Sequence, residues 1–185
     1  MVSFKASLVD TVNIKKIYPN KTTTDYPSHF VELDTLCYED YEAIRTIARS
    51  WEKGASFAGD LFDRFVVDRR ILPQTKKPKY RYFALTRSDE PFVNVNADNI
   101  LGVASVTKEK DDSFTLSQLQ VDPEHQYGSQ RREFKHIGQA LVESIIKILP
   151  KKEVSLYAAT RDAEIFYEKL NFVQKPNSIF MHLKR

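Results

Sequence analysis

One cysteine in 185 residues excludes an internal disulfide, and with only four histidines beside it a structural zinc site lacks ligands. Cys37 itself reads as a buried core thiol rather than a nucleophile, because free cysteine packs as a small hydrophobe. No apolar run reaches the ~20 residues that cross a bilayer. The opening MVSFKASLVDTVNIKK also lacks the apolar stretch of an export signal, so a cytoplasmic protein with no membrane partner is expected. Neither charge sign dominates: the formal net charge is +3, too small to imply attraction of the whole molecule to nucleic acid. Internal repeats and low-complexity tracts are missing too, which excludes a solenoid and a long linker.

What is present is a folding composition. Hydrophobic residues make up 42% and charged residues 29%, enough apolar side chain for a single core in one domain spanning 1–185. Residues 2–17 mix Val, Phe, Leu and Ile with polar positions and suggest one or two opening strands. Over 39–51, Tyr41, Ile44, Ile47, Ala48 and Trp51 recur at steps of three and four, the face of an amphipathic helix that Gly54 would end. A second, shorter helix is expected over 58–67, with Leu61, Phe62, Phe65 and Val66 on one face. A basic run comes next (Arg69, Arg70, Lys76, Lys77, Lys79, Arg81), read as a solvated loop in preference to a nucleic-acid contact.

YRYFALT at 80–86 and ILGVASVT at 100–107 form a β-hairpin, and 114–121, closed by Asp122-Pro123, adds a third antiparallel strand. The clearest helix covers 137–149, where Ile137, Leu141, Ile145 and Leu149 succeed one another at four-residue steps and Pro150 would stop it. A short strand at 154–158, a helix at 162–170 and a closing strand pair (Phe172 with 179–183) complete the chain. The fold class is α/β (α+β), a mixed and mostly antiparallel sheet flanked by helices.

One stretch carries chemistry. A strand, LSQLQVDP, leads through a link into a helix that opens with Gly138 and Ala140. Free N–H groups at a helix start, reinforced by the helix dipole and bared by small side chains, make an anion site suited to a diphosphate. Lys135 beside it can add a charge-assisted contact.

These residues resemble the GNAT superfamily of acyl-CoA N-acyltransferases. Its cofactor loop runs Gln or Arg, two residues, Gly, one residue, Gly or Ala, and Lys135-His136-Ile137-Gly138-Gln139-Ala140 is similar to it with Lys in first place. LQVDP resembles the family's strand whose backbone pairs with the pantetheine arm, through Leu119 and Val121. TRDAEIFYEKLNF resembles the second signature, with Ala163, Phe166, Tyr167 and Phe172 matching. The resemblance implies acetyl-CoA as cofactor, held by Leu119, Val121, residues 135–140 and Thr160. It implies residues 79–185 as the acyl-CoA-binding core and 1–78 as the acceptor-side part with its helical pair. Three departures stand out: Lys135 for Gln or Arg, Thr160 for Asn, and Asn171 for Gly. The link 124–136 is also longer than usual, and its GSQRREF run suggests an ordered flap near the cofactor.

The implied reaction is direct attack of a neutral amine on the thioester, with Tyr167 as the general acid that protonates the leaving sulfur. Strand 114–121 offers Ser117, Gln118 and Gln120 but no carboxylate base. Glu39, Asp60 and Asp63 are further candidates, each read foremost as a surface charge. The acceptor is left open among a small molecule, a protein and an aminoacyl-tRNA, as is assembly into a homodimer. The competing reading is a catalytically inactive module that keeps the fold for binding acyl-CoA, protein or nucleic acid.

Overall fold

The computed structural model of the chain describes residues 6–51, 57–75, 79–89, 91, 95–149 and 153–184. Among the described residues nine strands form one sheet: β1 (Ser7–Ile17), β2 (Thr23–Leu33), β3 (Tyr80–Arg87), β4 (Ile100–Lys108), β5 (Phe114–Val121), β6 (Phe134–Lys135), β7 (Val154–Leu156), β8 (Phe172–Gln174) and β9 (Met181–Leu183). Their order across the sheet is β6-β1-β2-β3-β4-β5-β7-β9-β8. Every neighbouring pair is antiparallel except β5 with β7. The four helices are α1 (Tyr38–Ser50), α2 (Phe57–Thr75), α3 (Ile137–Ile148) and α4 (Arg161–Glu168).

Alternation along the central strands builds two cores. In β3, Phe83 and Leu85 point to one face and pack with Ile137, Leu141 and Ile145 of α3 and with Tyr167 of α4. Tyr82 and Ala84 point to the other, where Ile44 and Ile47 of α1 meet Leu61 and Phe65 of α2. The expected mixed sheet with helices is therefore present, and Cys37 is fully buried as expected, at the start of α1.

Three sequence expectations need correction. Helix α2 runs to Thr75, not 67, so Arg69 and Arg70 are helical and Arg81 lies in β3; Lys76 and Lys77 fall outside the described residues. Tertiary contacts carry the helix past its charges. Asp68 is buried and accepts from the Tyr82 hydroxyl at 3.0 Å, while Arg69 donates to the carbonyls of Thr35 and Cys37 at 2.8 and 3.0 Å. Burial raises the Asp68 carboxyl above its usual range, and burial with the neighbouring Asp68 raises the Tyr82 hydroxyl, which keeps its proton and donates it in the hydrogen bond. Arg81 is bound by Glu32 through two contacts of 2.7 Å. Arg69 and Arg81 of the supposed basic loop are therefore structural.

The second correction is β2, which the sequence reading omitted. Pro27 sits in mid-strand and cannot donate to a ladder. It is tolerated because the ladder between β2 and β3 begins only at Ser28, so Pro27 pairs on the β1 side alone. Third, the link before α3, expected as an ordered flap, is tied into the sheet edge. After a 3-10 turn at Pro123–His125 it reaches the far edge of the sheet, where β6 pairs with Lys15 and Lys16 of β1 and Phe134 is fully buried. Gly54 and Pro150, read as helix stops, lie outside the described residues. Among the described residues no helix is long and apolar enough to cross a membrane, and no cluster of metal-ligating side chains occurs.

Candidate active site

The site begins with a fault in β5. Ser105 faces Gln118 and Val106 faces Leu116, so Ser117 is an extra residue, a β-bulge. The bulge reverses the strand's alternation. Phe114 and Leu116 pack into the α3/α4 core before it, Leu119 and Val121 pack against that same core after it, and Gln118 and Gln120 become buried in between. The parallel pairing with β7 also ends at Leu116 opposite Leu156. Beyond that point, among the described residues, no strand is paired to that edge of β5.

The orientation of that edge is set at Gly102. A Cβ placed there would stand 3.2 Å from the Gln120 carbonyl oxygen, so Gln120 aims its main chain at β4. Adjacent residues alternate, and the N–H and C=O groups of Leu119 and Val121 therefore face the opening. Gln126 Nε2 approaches the Val121 oxygen at 3.0 Å. The same Gly102 brings α3 close, since its Cβ would be 2.9 Å from Leu141 and 3.0 Å from Ile137. Sequence reasoning passed over this residue, although a lone glycine inside a strand signals a close approach.

The first turn of α3 lies against the open edge. A Cβ on Gly138 would be 3.5 Å from Val121, 3.9 Å from Leu119 and 3.4 Å from the Phe166 ring. Ala140 N–H makes the first intrahelical bond, to the His136 carbonyl at 2.9 Å, and His136 supplies no side-chain cap. The N–H groups of Ile137, Gly138 and Gln139 thus precede the helical ladder. His136 is left-handed (φ 66°) and pairs its ring with Gln139 at 3.1 Å. On the other side of the turn, a groove of about 240 Å³ runs between β1 and α3, lined by Lys15, His136, Gln139 and Glu143 among others. Lys135 is half-buried in β6.

Tyr167 reaches this turn through its neighbour. Phe166, in contact range of Gly138, meets the Tyr167 ring edge-on at 4.9 Å. Tyr167 is 8% exposed, and burial pushes its hydroxyl up to about 12, so it holds its proton through the neutral range. Thr160 caps α4 by accepting from Ala163 N–H at 3.2 Å, a structural task for a residue expected at the cofactor. Asn171 ends that helical segment with φ 66°, the left-handed stop that asparagine tolerates.

The structure thus brings Leu119, Val121 and Phe166 around Gly138, with Tyr167 packed behind Phe166 and with His136, Gln139 and Ala140 on the adjoining turn. Asp60, Asp63 and Glu39 are exposed, and Glu39 accepts the Cys37 thiol at 3.1 Å. Gln118 accepts from Ser105 at 2.7 Å, and Gln120 accepts from Ala58 N–H at 2.7 Å, binding the start of α2 to β5.

Solved structures match this architecture at the level of fold. A GNAT-family protein from Desulfovibrio desulfuricans matches with a TM-score of 0.56 and 14% identity, covering 85% of this chain and 98% of that one. The ribosomal-protein-S18-alanine N-acetyltransferase from Escherichia coli matches at 0.53 and 19%, covering 84% and 92%. AtaTR bound with AcCoA matches at 0.53 and 16%, covering 83% and 90%. No family model matches the sequence, and no curated protein matches it significantly. The chain has the GNAT fold.

Proposed function

We propose that this chain is an acyl-CoA-dependent N-acyltransferase, with acetyl as the group transferred and a primary amine as acceptor. The observation that carries the reading is the junction of Gly138 with Leu119, Val121 and Phe166, which sets bare helix N–H groups beside an unpaired strand edge. The residues fit coenzyme A. Three uncapped N–H groups with a glycine among them suit a diphosphate, and the alternating main chain of Leu119 and Val121 suits an extended amide-bearing arm. Lys135 would add charge near the phosphates, without the bidentate fork of Arg. When bound, the coenzyme would supply an acyl thioester open to nucleophilic attack.

The chain's own residues then have separable tasks. The open edge and the α3 turn hold the acyl donor and lower the entropic cost of the encounter. Main-chain N–H groups at the edge can stabilise oxygen charge as it develops. Tyr167, kept protonated by burial, would donate to the departing sulfur. Among the described residues no carboxylate is placed as a base, which matters unequally for different acceptors. Deprotonating a lysine-type amine at pH 7 costs about 4.6 kcal/mol, an α-amine only about 1 kcal/mol.

Release of free thiol from acetyl-CoA across a panel of α-amine and ε-amine acceptors tests the activity. Acyl transfer to any of them establishes the enzyme. Tight acetyl-CoA binding with no transfer to any acceptor class would instead favour a binding module.

A further inference from the structure

We infer that Glu133 is a positioning residue whose carboxylate clamps the link to β1 and β3 and so fixes where the α3 N–H groups stand for the coenzyme's diphosphate. This rests on the cofactor site proposed above.

The link leaves β5 in the middle of the sheet and must deliver α3 after pairing at the far edge. At its final approach Glu133 is bound on several sides. Its carboxylate lies 3.3 Å from Lys16 Nζ of β1 and 3.3 Å from Arg87 Nη2 at the end of β3. Its carbonyl accepts from Ile17 N–H at 2.7 Å, and its own N–H donates to His125 Nδ1 at 3.4 Å. The same two cations lie over the Phe134 ring, Arg87 at 5.2 Å and Lys16 at 5.9 Å. One acidic residue therefore ties together two strands, the buried ring and the start of the link.

A stability role does not account for this arrangement. The side chains of Glu133, Lys16 and Arg87 are 35%, 33% and 29% exposed, so these pairs stay partly solvated and add only modestly to folding. Position is the stronger account, because the backbone just beyond the clamp is strained. Three residues on, His136 adopts a left-handed conformation, uncommon for a residue with a Cβ and costly enough that neighbouring contacts help to hold it. Glu133 and Phe134 hold the chain on one side of His136, and the packing of α3 on Gly102 holds it on the other. Release of the clamp lets the turn relax, and the N–H groups of Ile137, Gly138 and Gln139 lose their common aim.

Calorimetric titration of the full chain with acetyl-CoA, beside thermal unfolding without ligand, tests this. Given wild-type binding, Glu133→Ala should raise Kd about 10-fold. Its unfolding midpoint should stay within about 2 °C of wild type, as expected for a change well under 1 kcal/mol. Glu133→Gln, which keeps shape and loses charge, should fall between. Combining Glu133→Ala with Arg87→Ala should weaken binding less than the two single effects added, the signature of a shared contact. An unchanged Kd in Glu133→Ala overturns the inference, as does full additivity or a loss of binding matched by a large fall in unfolding midpoint. A wild-type chain that does not bind acetyl-CoA overturns the proposed function itself, and this inference with it.

Discussion

The two faces of the sheet are built by different means. On the α3/α4 face, the candidate site is made of main chain and small residues. Gly102 admits the helix, Gly138 bares its turn, and Leu119 and Val121 offer peptide groups. On the α1/α2 face the corresponding region is held by polar side chains in fixed pairs: Tyr82 with Asp68, Ser105 with Gln118, and Gln120 with Ala58 N–H. A backbone-built region tolerates many side chains but no added bulk at its glycines. A side-chain-built region tolerates bulk poorly too, but fails first through unpaired polar atoms.

That contrast can be broken by substitution. The largest effect is expected at Tyr167, where Phe should lower turnover about 100-fold by removing a general acid while leaving the acetyl-CoA Kd unchanged. Unchanged turnover would remove the residue from the chemistry. Gly138→Val should weaken acetyl-CoA binding on the order of 50-fold, because branched methyl groups would meet Phe166 and Val121 and cover the N–H groups. Gly138→Ala is the sharper control: its single Cβ makes ordinary contacts, so binding that is lost as completely as with Val would show that conformation, not access, decides.

The opposite face should answer in stability rather than binding. Asp40 of α1 is 1% exposed, accepts from Asp34 N–H at 2.8 Å, and burial raises its carboxyl to about 6 from 3.8. The folded state thus favours the protonated form, and that advantage is present below about 3.8 and lost as pH rises through about 6. Asp40→Asn should therefore be more stable than wild type by about 3 kcal/mol at pH 7 to 8, the gap largely closing near pH 4. Denaturant titrations at both pH values check this, and a gap that does not change with pH would refute it. The smallest effect is expected for Gln120→Met, which should cost about 1 kcal/mol by leaving the buried Ala58 N–H without this acceptor. Acetyl-CoA binding should survive it, and joint loss of both would show the two faces to be one unit.

The same contrast explains what could be read from the sequence. The long periodic helix α3, the hairpin of β3 and β4 and the Gly138 turn were legible because hydrophobic spacing and a sparse residue type mark them locally. The Ser117 bulge also left a trace, since apolar positions fall at 114 and 116 and then at 119 and 121. By contrast, β2 was hidden by Pro27, whose harmlessness depends on where a distant strand begins. The length of α2 was hidden because Asp68 and Arg69 are satisfied by Tyr82, Thr35 and Cys37, none of them near in sequence. The anchoring of the link at Glu133 depends on Lys16 and Arg87 in the same way. Spacing reports an element's own period, and says nothing of partners that folding brings from elsewhere.

The open margin of β5 carries a consequence for what can be recognised there. A strand that offers only peptide groups selects its guest by linearity and by the rhythm of donors and acceptors, much as a template would. Exchanging Leu119 or Val121 for another β-branched or aliphatic residue should leave that selection intact, so long as the shifted phase set by Ser117 is preserved.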